Sequence, residues 1–228
     1  EIKVVTTIKP LHSLIANVMD GVGEPSLIIE DSTSPHSFTL KPSHAKLLEE
    51  ADLIFWVGEG IETFMERPLE SIVKNAEVVE FMEVESIEKL KFREESIYGD
   101  HDDHDDHDDH DDHDDHDDHD DHDDHDEDHD GHDDHDDHDD HAGHEGHNHG
   151  EFDAHIWLDP MNAKEMVREI AHELGHLDPT NKDKYEANAD ATILALDQLI
   201  EDVSKDINKD AKFVVFHDAY QYFEERFG

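Results

Sequence analysis

From Asp100 to Asp140 the chain repeats His-Asp-Asp almost without interruption, then runs on through His141, His144, His147 and His149. This tract holds 17 of the 24 histidines and cuts the chain in two. A period of three matches neither a helix face nor an alternating strand, and the tract has no large apolar side chain to bury. It is expected to be disordered, so any fold must be built from the residues on either side of it. Imidazole and carboxylate both bind divalent metals, and imidazole suits zinc, copper and nickel. The chemistry expected of the tract is metal capture at many weak, exchanging sites, because each ion must offset the entropy of ordering mobile ligands. A merely solvating acidic run is the plain alternative. Solvation alone, however, gives no reason for a histidine at every third place.

Charge narrows the partners. The segment from Asp100 to Gly150 carries 28 of the 65 acidic residues and no Lys or Arg, which leaves 37 acids against 17 bases elsewhere. Such an excess argues against nucleic acid or anionic lipid as a partner. Cysteine is absent, which excludes disulfides, cysteine zinc sites and a lipid-bearing cysteine within this sequence. The opening Glu1-Ile2-Lys3-Val4-Val5-Thr6-Thr7-Ile8 reads as a first strand, which fits a mature chain whose signal peptide has been removed and a cytosolic chain equally well. No run of 18 apolar residues spans a membrane.

Outside the tract the apolar pattern alternates between strand and helix. Runs rich in Val, Ile and Phe at Ile2 to Ile8, Ser26 to Glu30, Leu53 to Val57, Glu77 to Phe81 and Lys212 to Phe216 predict strands. Pro10 opens a helix carrying Leu11, Leu14, Ile15 and Val18 until Gly21. Pro42 and Ser43 open a second, Ile61 to Val73 supplies a third, and Asn162 to Leu177 a fourth. From Thr180 to Asn208, Tyr185, Ala189, Ile193, Leu196, Ile200, Val203 and Ile207 recur every three or four residues, which predicts one long helix suited to a strut. Strands alternating with helices imply an α/β fold with a parallel sheet. The strand at Lys212 to Phe216 and a helix starting near Asp218 read as the opening of a second α/β unit, since one strand and one helix bury no sheet of their own.

Three histidines outside the tract stand at strand ends or in the loops after them, where open α/β sheets place ligands. They are His36 in Ser34-Pro35-His36-Ser37-Phe38, His155 in Asp153-Ala154-His155-Ile156-Trp157-Leu158-Asp159-Pro160, and His217 after Phe213-Val214-Val215-Phe216. With Ala51-Asp52-Leu53-Ile54-Phe55-Trp56-Val57-Gly58, Leu177-Asp178-Pro179 and Phe216-His217-Asp218-Ala219-Tyr220, these stretches occur in one order along the whole chain outside the tract. In that pattern the chain resembles the zinc-binding solute-binding proteins of ABC importers, the ZnuA-like branch of the metal-binding cluster that also holds the TroA-like proteins. An acidic, histidine-rich insertion before the second histidine is also a habit of that branch.

The resemblance implies a two-lobed α/β protein with parallel sheets joined by a long rigid helix, of which the N-terminal lobe, the helix and the start of the C-terminal lobe are present. The lobes are expected at 1–178, interrupted by a disordered loop at 86–150, with the linking helix at 179–209 and the second lobe opening at 210–228. His36, His155 and His217 match the family's three metal-binding histidines. With water as the expected fourth ligand they suit Zn²⁺; a carboxylate in place of His217 would suit a harder ion. Pro35 stands where some relatives carry a glutamate, and His44 stands where an aspartate is usual; an exposed helix position is expected for it. The implied function is a high-affinity receptor, periplasmic or on the cell surface, that delivers Zn²⁺ to an ABC permease driven by a separate ATPase. It is expected to be monomeric, to bind no nucleic acid, and to use the tract as a low-affinity reservoir or sensor. A free-standing metal buffer or chaperone is the alternative.

One enzyme pattern competes. His172-Glu173-Leu174-Gly175-His176 satisfies H-E-x-x-H, in which two histidines bind zinc and the Glu activates water. It lies at the end of its helix, three residues before Pro179, and includes Gly175, which weakens that turn. A non-enzyme is therefore expected, with no catalytic residue. The glycine pairs at Gly21 and Gly58 extend into no phosphate-binding loop, so ATP must be used by another subunit.

Overall fold

A computed structural model describes residues 2–30, 33–93 and 150–228. The expected disorder of the His-Asp-Asp tract lies outside the described residues. The described residues up to 92 and from 150 onward form one compact unit.

Four strands, β1 (Val4–Thr6), β2 (Ser26–Leu27), β3 (Leu53–Trp56) and β4 (Glu77–Glu80), make a sheet of order β2-β1-β3-β4. Every pairing is parallel, so each connection crosses over with helix: α1 (Lys9–Val18), α2 (Pro42–Glu49) and α3 (Glu66–Ser71). β1 and β3 are buried throughout, which is why they read as continuous apolar runs. The chain leaves β1 toward one side of the sheet and β3 toward the other. That reversal opens a crevice at the carboxyl ends of β1 and β3, the usual ligand position in such sheets.

Helix α4 (Pro160–Leu177) starts at Asp159, whose side chain accepts from the Met161 N–H, with Pro160 in the first turn. Ala163, Met166, Val167, Ile170, Ala171 and Leu174 then recur at helical spacing and are all buried. α5 (Lys182–Asp206) has 25 residues, about 37 Å at 1.5 Å per residue. Its first half is anchored most closely: Tyr185 and Ala189 are buried, and Asn188 Nδ2 donates to the carbonyls of Val18 and Asp20 at the end of α1, while farther along Leu196 packs against the core and Asp197 accepts from Lys164 of α4. Leu194 and Leu199 farther along are exposed.

Two boundaries differ from expectation. Residues 212–216 form no strand; no described strand lies beside them, and Phe213, Val214 and Phe216 are exposed. An apolar run can form a strand only where a neighbour accepts its ladder. The last helix, α6 (Gln221–Phe227), accordingly begins three residues later than Asp218. The loop expected from 86 also starts later. Ile87 is buried in the core, and Lys91 bridges Phe152 in antiparallel fashion, joining the two sides of the tract.

Candidate metal centre

The crevice between β1 and β3 is built around a carboxylate. Glu62 is fully buried, and it accepts the Thr7 hydroxyl from the loop after β1 and the N–H groups of Val57 and Gly58 after β3. One side chain thus ties together the two loops at the point where the sheet order reverses. Burial, opposed by those three donors, pushes its carboxyl up to about 7. The turn it fixes needs glycine at position 58: φ is +149°, and a Cβ there would lie 2.7 Å from Glu80 Oε1 and 3.0 Å from Met82 Cγ.

This turn supports both N-terminal histidine segments. A Cβ on Gly60 would lie 3.0 Å from the Cβ of Ala154, so the turn packs directly against the residue before His155. Phe64, two residues past Glu62, meets Phe38 with ring centroids 5.0 Å apart, and Phe38 closes the short 3-10 turn Pro35–Ser37 that presents His36.

His155 is held more tightly. Its Nδ1 lies 2.7 Å from Asp153 Oδ1, and both side chains are largely buried. A carboxylate only accepts, so Nδ1 carries a proton, and in the neutral ring Nε2 holds the lone pair. Nε2 points at Nε2 of His217, 3.4 Å away. His36 completes a near-equilateral set: its ring centroid is 5.8 Å from each of the other two, which stand 5.4 Å apart. One ring nitrogen from each of the three lies within 4.8 Å of the others. The three histidines picked from the sequence therefore converge.

His217 reaches the site because α6 is latched to the loop that carries His155. The Tyr222 hydroxyl donates to the Asp153 carbonyl and accepts the Leu90 N–H. Arg226 donates to both carboxylate oxygens of Asp159, at 2.8 and 2.7 Å. Asp159 thus caps α4 and anchors α6 at once. Sequence reasoning passed over Glu62, Asp153 as a partner of His155, and Arg226. An acid inside the apolar run Ile61-Glu62-Thr63-Phe64-Met65 and the i, i+2 spacing of Asp153 and His155 were the available signals; Arg226 gave none.

Other histidines stand apart. His44 Nδ1 accepts the Lys41 backbone N–H at the start of α2. His12 Nε2 lies 3.1 Å from the Pro25 carbonyl, tying α1 to the approach to β2. In the H-E-x-x-H stretch, His172 and His176 do not converge on a shared point: His176 groups with Glu77 and Glu173, and His172 is excluded.

Comparison with known proteins matches residues 4–228 to the family model described as ZnuA, zinc-uptake complex component A, periplasmic. A high-affinity zinc uptake system protein ZnuA of Brucella abortus is 49% identical over 227 residues, covering 99% of this chain and 64% of that protein. A Haemophilus influenzae protein of the same description is 41% identical over 228 residues, and the chain spans 66% of its length. Among solved structures, the Zn(II)-bound ZnuA-like domain of Streptococcus pneumoniae AdcA superposes with a TM-score of 0.64 at 20% identity, over 100% of this chain and 64% of that one. That likeness bears on the fold, an α/β unit with a parallel sheet and a long helix.

Proposed function

The chain belongs to the ZnuA family of zinc-uptake components, and from that premise we propose that it is an extracytoplasmic Zn²⁺ receptor whose His36, His155 and His217 take one ion tightly. The protein hands that ion to an ABC-type import permease driven by a separate ATPase. One observation carries the reading: three imidazoles far apart in sequence offer nitrogens within 4.8 Å of one another. Tetrahedral Zn²⁺ with Zn–N bonds of about 2.0–2.1 Å sets neighbouring nitrogens about 3.3 Å apart. The spacing of 3.4 Å between His155 and His217 agrees with it.

The Asp153–His155 pair supports the same reading. A carboxylate behind a ligating imidazole fixes its tautomer and raises its basicity, an arrangement common at zinc sites. Three neutral nitrogens and an open fourth position, to be filled by water, make a site that binds an ion and still lets it go. Zinc is cargo in this account, and the protein is a binding protein rather than an enzyme. Residues 1–178 serve as the first lobe, 179–209 as the linking helix and 210–228 as the opening of a second lobe, so the ion bridges two lobes. The receptor works as a monomer in the periplasm or at the cell surface, and the His-Asp-Asp tract raises the local zinc concentration through weak sites.

Zinc titration against a competing chelator tests this on the full chain, on a chain lacking residues 100–149, and on His155→Ala. Deletion should remove weak binding and leave one tight site. His155→Ala should weaken the tight site by more than about 100-fold, beyond the 10–100-fold typical of losing an outer-shell partner. A tight site that survives His155→Ala sinks the assignment; a tight site lost with the tract sinks the division of labour.

A further inference from the structure

The H-E-x-x-H stretch of α4 has no part in the three-histidine centre, yet its surroundings are specific. Glu173 and His176 stand three residues apart on the last turn of α4 and so project from one face. Glu77, the first residue of β4, meets them there. One oxygen from each carboxylate and one ring nitrogen of His176 all lie within 4.8 Å of one another. The Glu that would serve as base in a protease is turned toward a second carboxylate, while His172 keeps a side chain 74% exposed.

Glu77 and Glu173 line a groove between β4, the turn after it and α4, which Glu80, Glu83 and Glu169 also line. Glu77 pairs in register with Leu53, the first residue of β3. The trio is therefore at the amino edge of the sheet, opposite the crevice where the three histidines meet.

Charge at this place is unbalanced. The Glu173 side chain is only 14% exposed, and among the described residues no Lys or Arg forms an ion pair with Glu77 or Glu173, whose ion-pair contacts are His176 and His172. Burial, then Glu77 and Glu169, hold the Glu173 carboxyl above the ordinary carboxylate range. Two part-buried carboxylates that face one another are stabilised by a shared proton, by an imidazolium at His176 or by a metal cation between them. The imidazole at the same point tips the choice, because a ring nitrogen completes a ligand set. Glu-x-x-His on one helix with a carboxylate from another element is a donor pattern used by carboxylate-bridged metal bundles.

We propose that Glu77, Glu173 and His176 form a second divalent-cation site, independent of the three-histidine centre, that pins β4 to the last turn of α4. Two oxygens and one nitrogen suit Mn²⁺, Co²⁺ or Zn²⁺ rather than a soft ion.

The full chain titrated with Mn²⁺ and followed by NMR line broadening tests it, because the readout is local and substitutions in the trio separate this site from binding elsewhere. Mn²⁺ should broaden the amides of Val78 and Gly175 at low metal ratios. Glu77→Gln and His176→Ala should each abolish that broadening and leave broadening elsewhere in place. Both side chains are accessible, 39% and 70% exposed, so the variants should keep the native spectrum in metal-free buffer. No broadening at those two amides, as a shared proton would predict, overturns the proposal; so does broadening that survives both substitutions.

Discussion

His155 and His217 face each other across 3.4 Å, but the protein holds them in opposite ways. His155 lies in a loop where almost every residue is tied. Asp153 fixes its ring, Ala154 packs on the turn after β3, Ile156 is buried, and Asp159 caps a helix. His217 follows an exposed run without regular structure, and the segment after it is tied down by buried Ala219, by Gln221 donating to the Lys91 carbonyl, and by Tyr222 and Arg226 in the helix beyond. One of the two proposed ligands is preorganised and the other is delivered by a latch. A rigid half lowers the ordering cost of binding, and a compliant half gives the proposed zinc cargo a way out.

The rigid half depends on Glu62, and pH exposes that dependence. Its carboxyl sits at about 7 in the folded protein against an ordinary 4.5, so the native state holds the proton more tightly than the unfolded chain. Its contribution is full below about pH 4.5, falls as pH rises, and is gone above about pH 7. At about 1.4 kcal/mol per pK unit the swing is on the order of 3 kcal/mol. Urea midpoints of metal-free protein and of Glu62→Gln should therefore diverge with pH across that window. A difference between them that stays constant would contradict the buried-acid account.

The latch comes next in size. Arg226→Ala leaves the Asp159 carboxylate, 5% exposed, with only the Met161 N–H. Losing a bidentate charged partner at a largely buried carboxylate should cost about 2–3 kcal/mol. Arg226→Lys should restore little, because an ammonium cannot make both bonds. Denaturant unfolding measures the loss, and zinc affinity should fall with it if α6 delivers His217. Undiminished affinity in an unlatched protein would show that His217 finds the ion unaided.

Much of this was legible before any coordinates. Continuous apolar runs gave the four parallel strands, and helical spacing gave α1, α4 and α5 to within a few residues. The motifs around His36, His155 and His217 singled out residues that do converge. What escaped was of two kinds. Glu62 and Arg226 act on partners 55 and 67 residues away, and local pattern carries no record of such pairings. The run at 212–216 failed for the converse reason: its composition permits a strand, but a strand also needs a neighbour, and composition is silent about neighbours. Glu77 was invisible for the same reason as Arg226, since only the fold sets it beside Glu173.

The smallest change bears most directly on how His155 is held. Asp153→Asn keeps the size and nearly the shape of the side chain, yet an amide can offer either its oxygen or its NH₂ to Nδ1. If the oxygen faces the ring, His155 keeps its tautomer and loses only the charge behind it; if the NH₂ does, the proton moves to Nε2 and the lone pair is lost to the metal. In the first case zinc affinity should fall by about 10–100-fold, the usual cost of removing an outer-shell carboxylate; in the second it should fall further, toward the loss expected of His155→Ala. Stability of the metal-free protein should change less, because the Tyr222 hydroxyl bonds the Asp153 backbone carbonyl and an amide oxygen can still accept the His155 backbone N–H that the carboxylate accepts. Asp153→Glu, which restores the charge on a longer arm, should recover part of the affinity. Equal losses in affinity and stability would make Asp153 a structural residue, and the contrast between a set ligand and a delivered one would then have to rest on the latch alone.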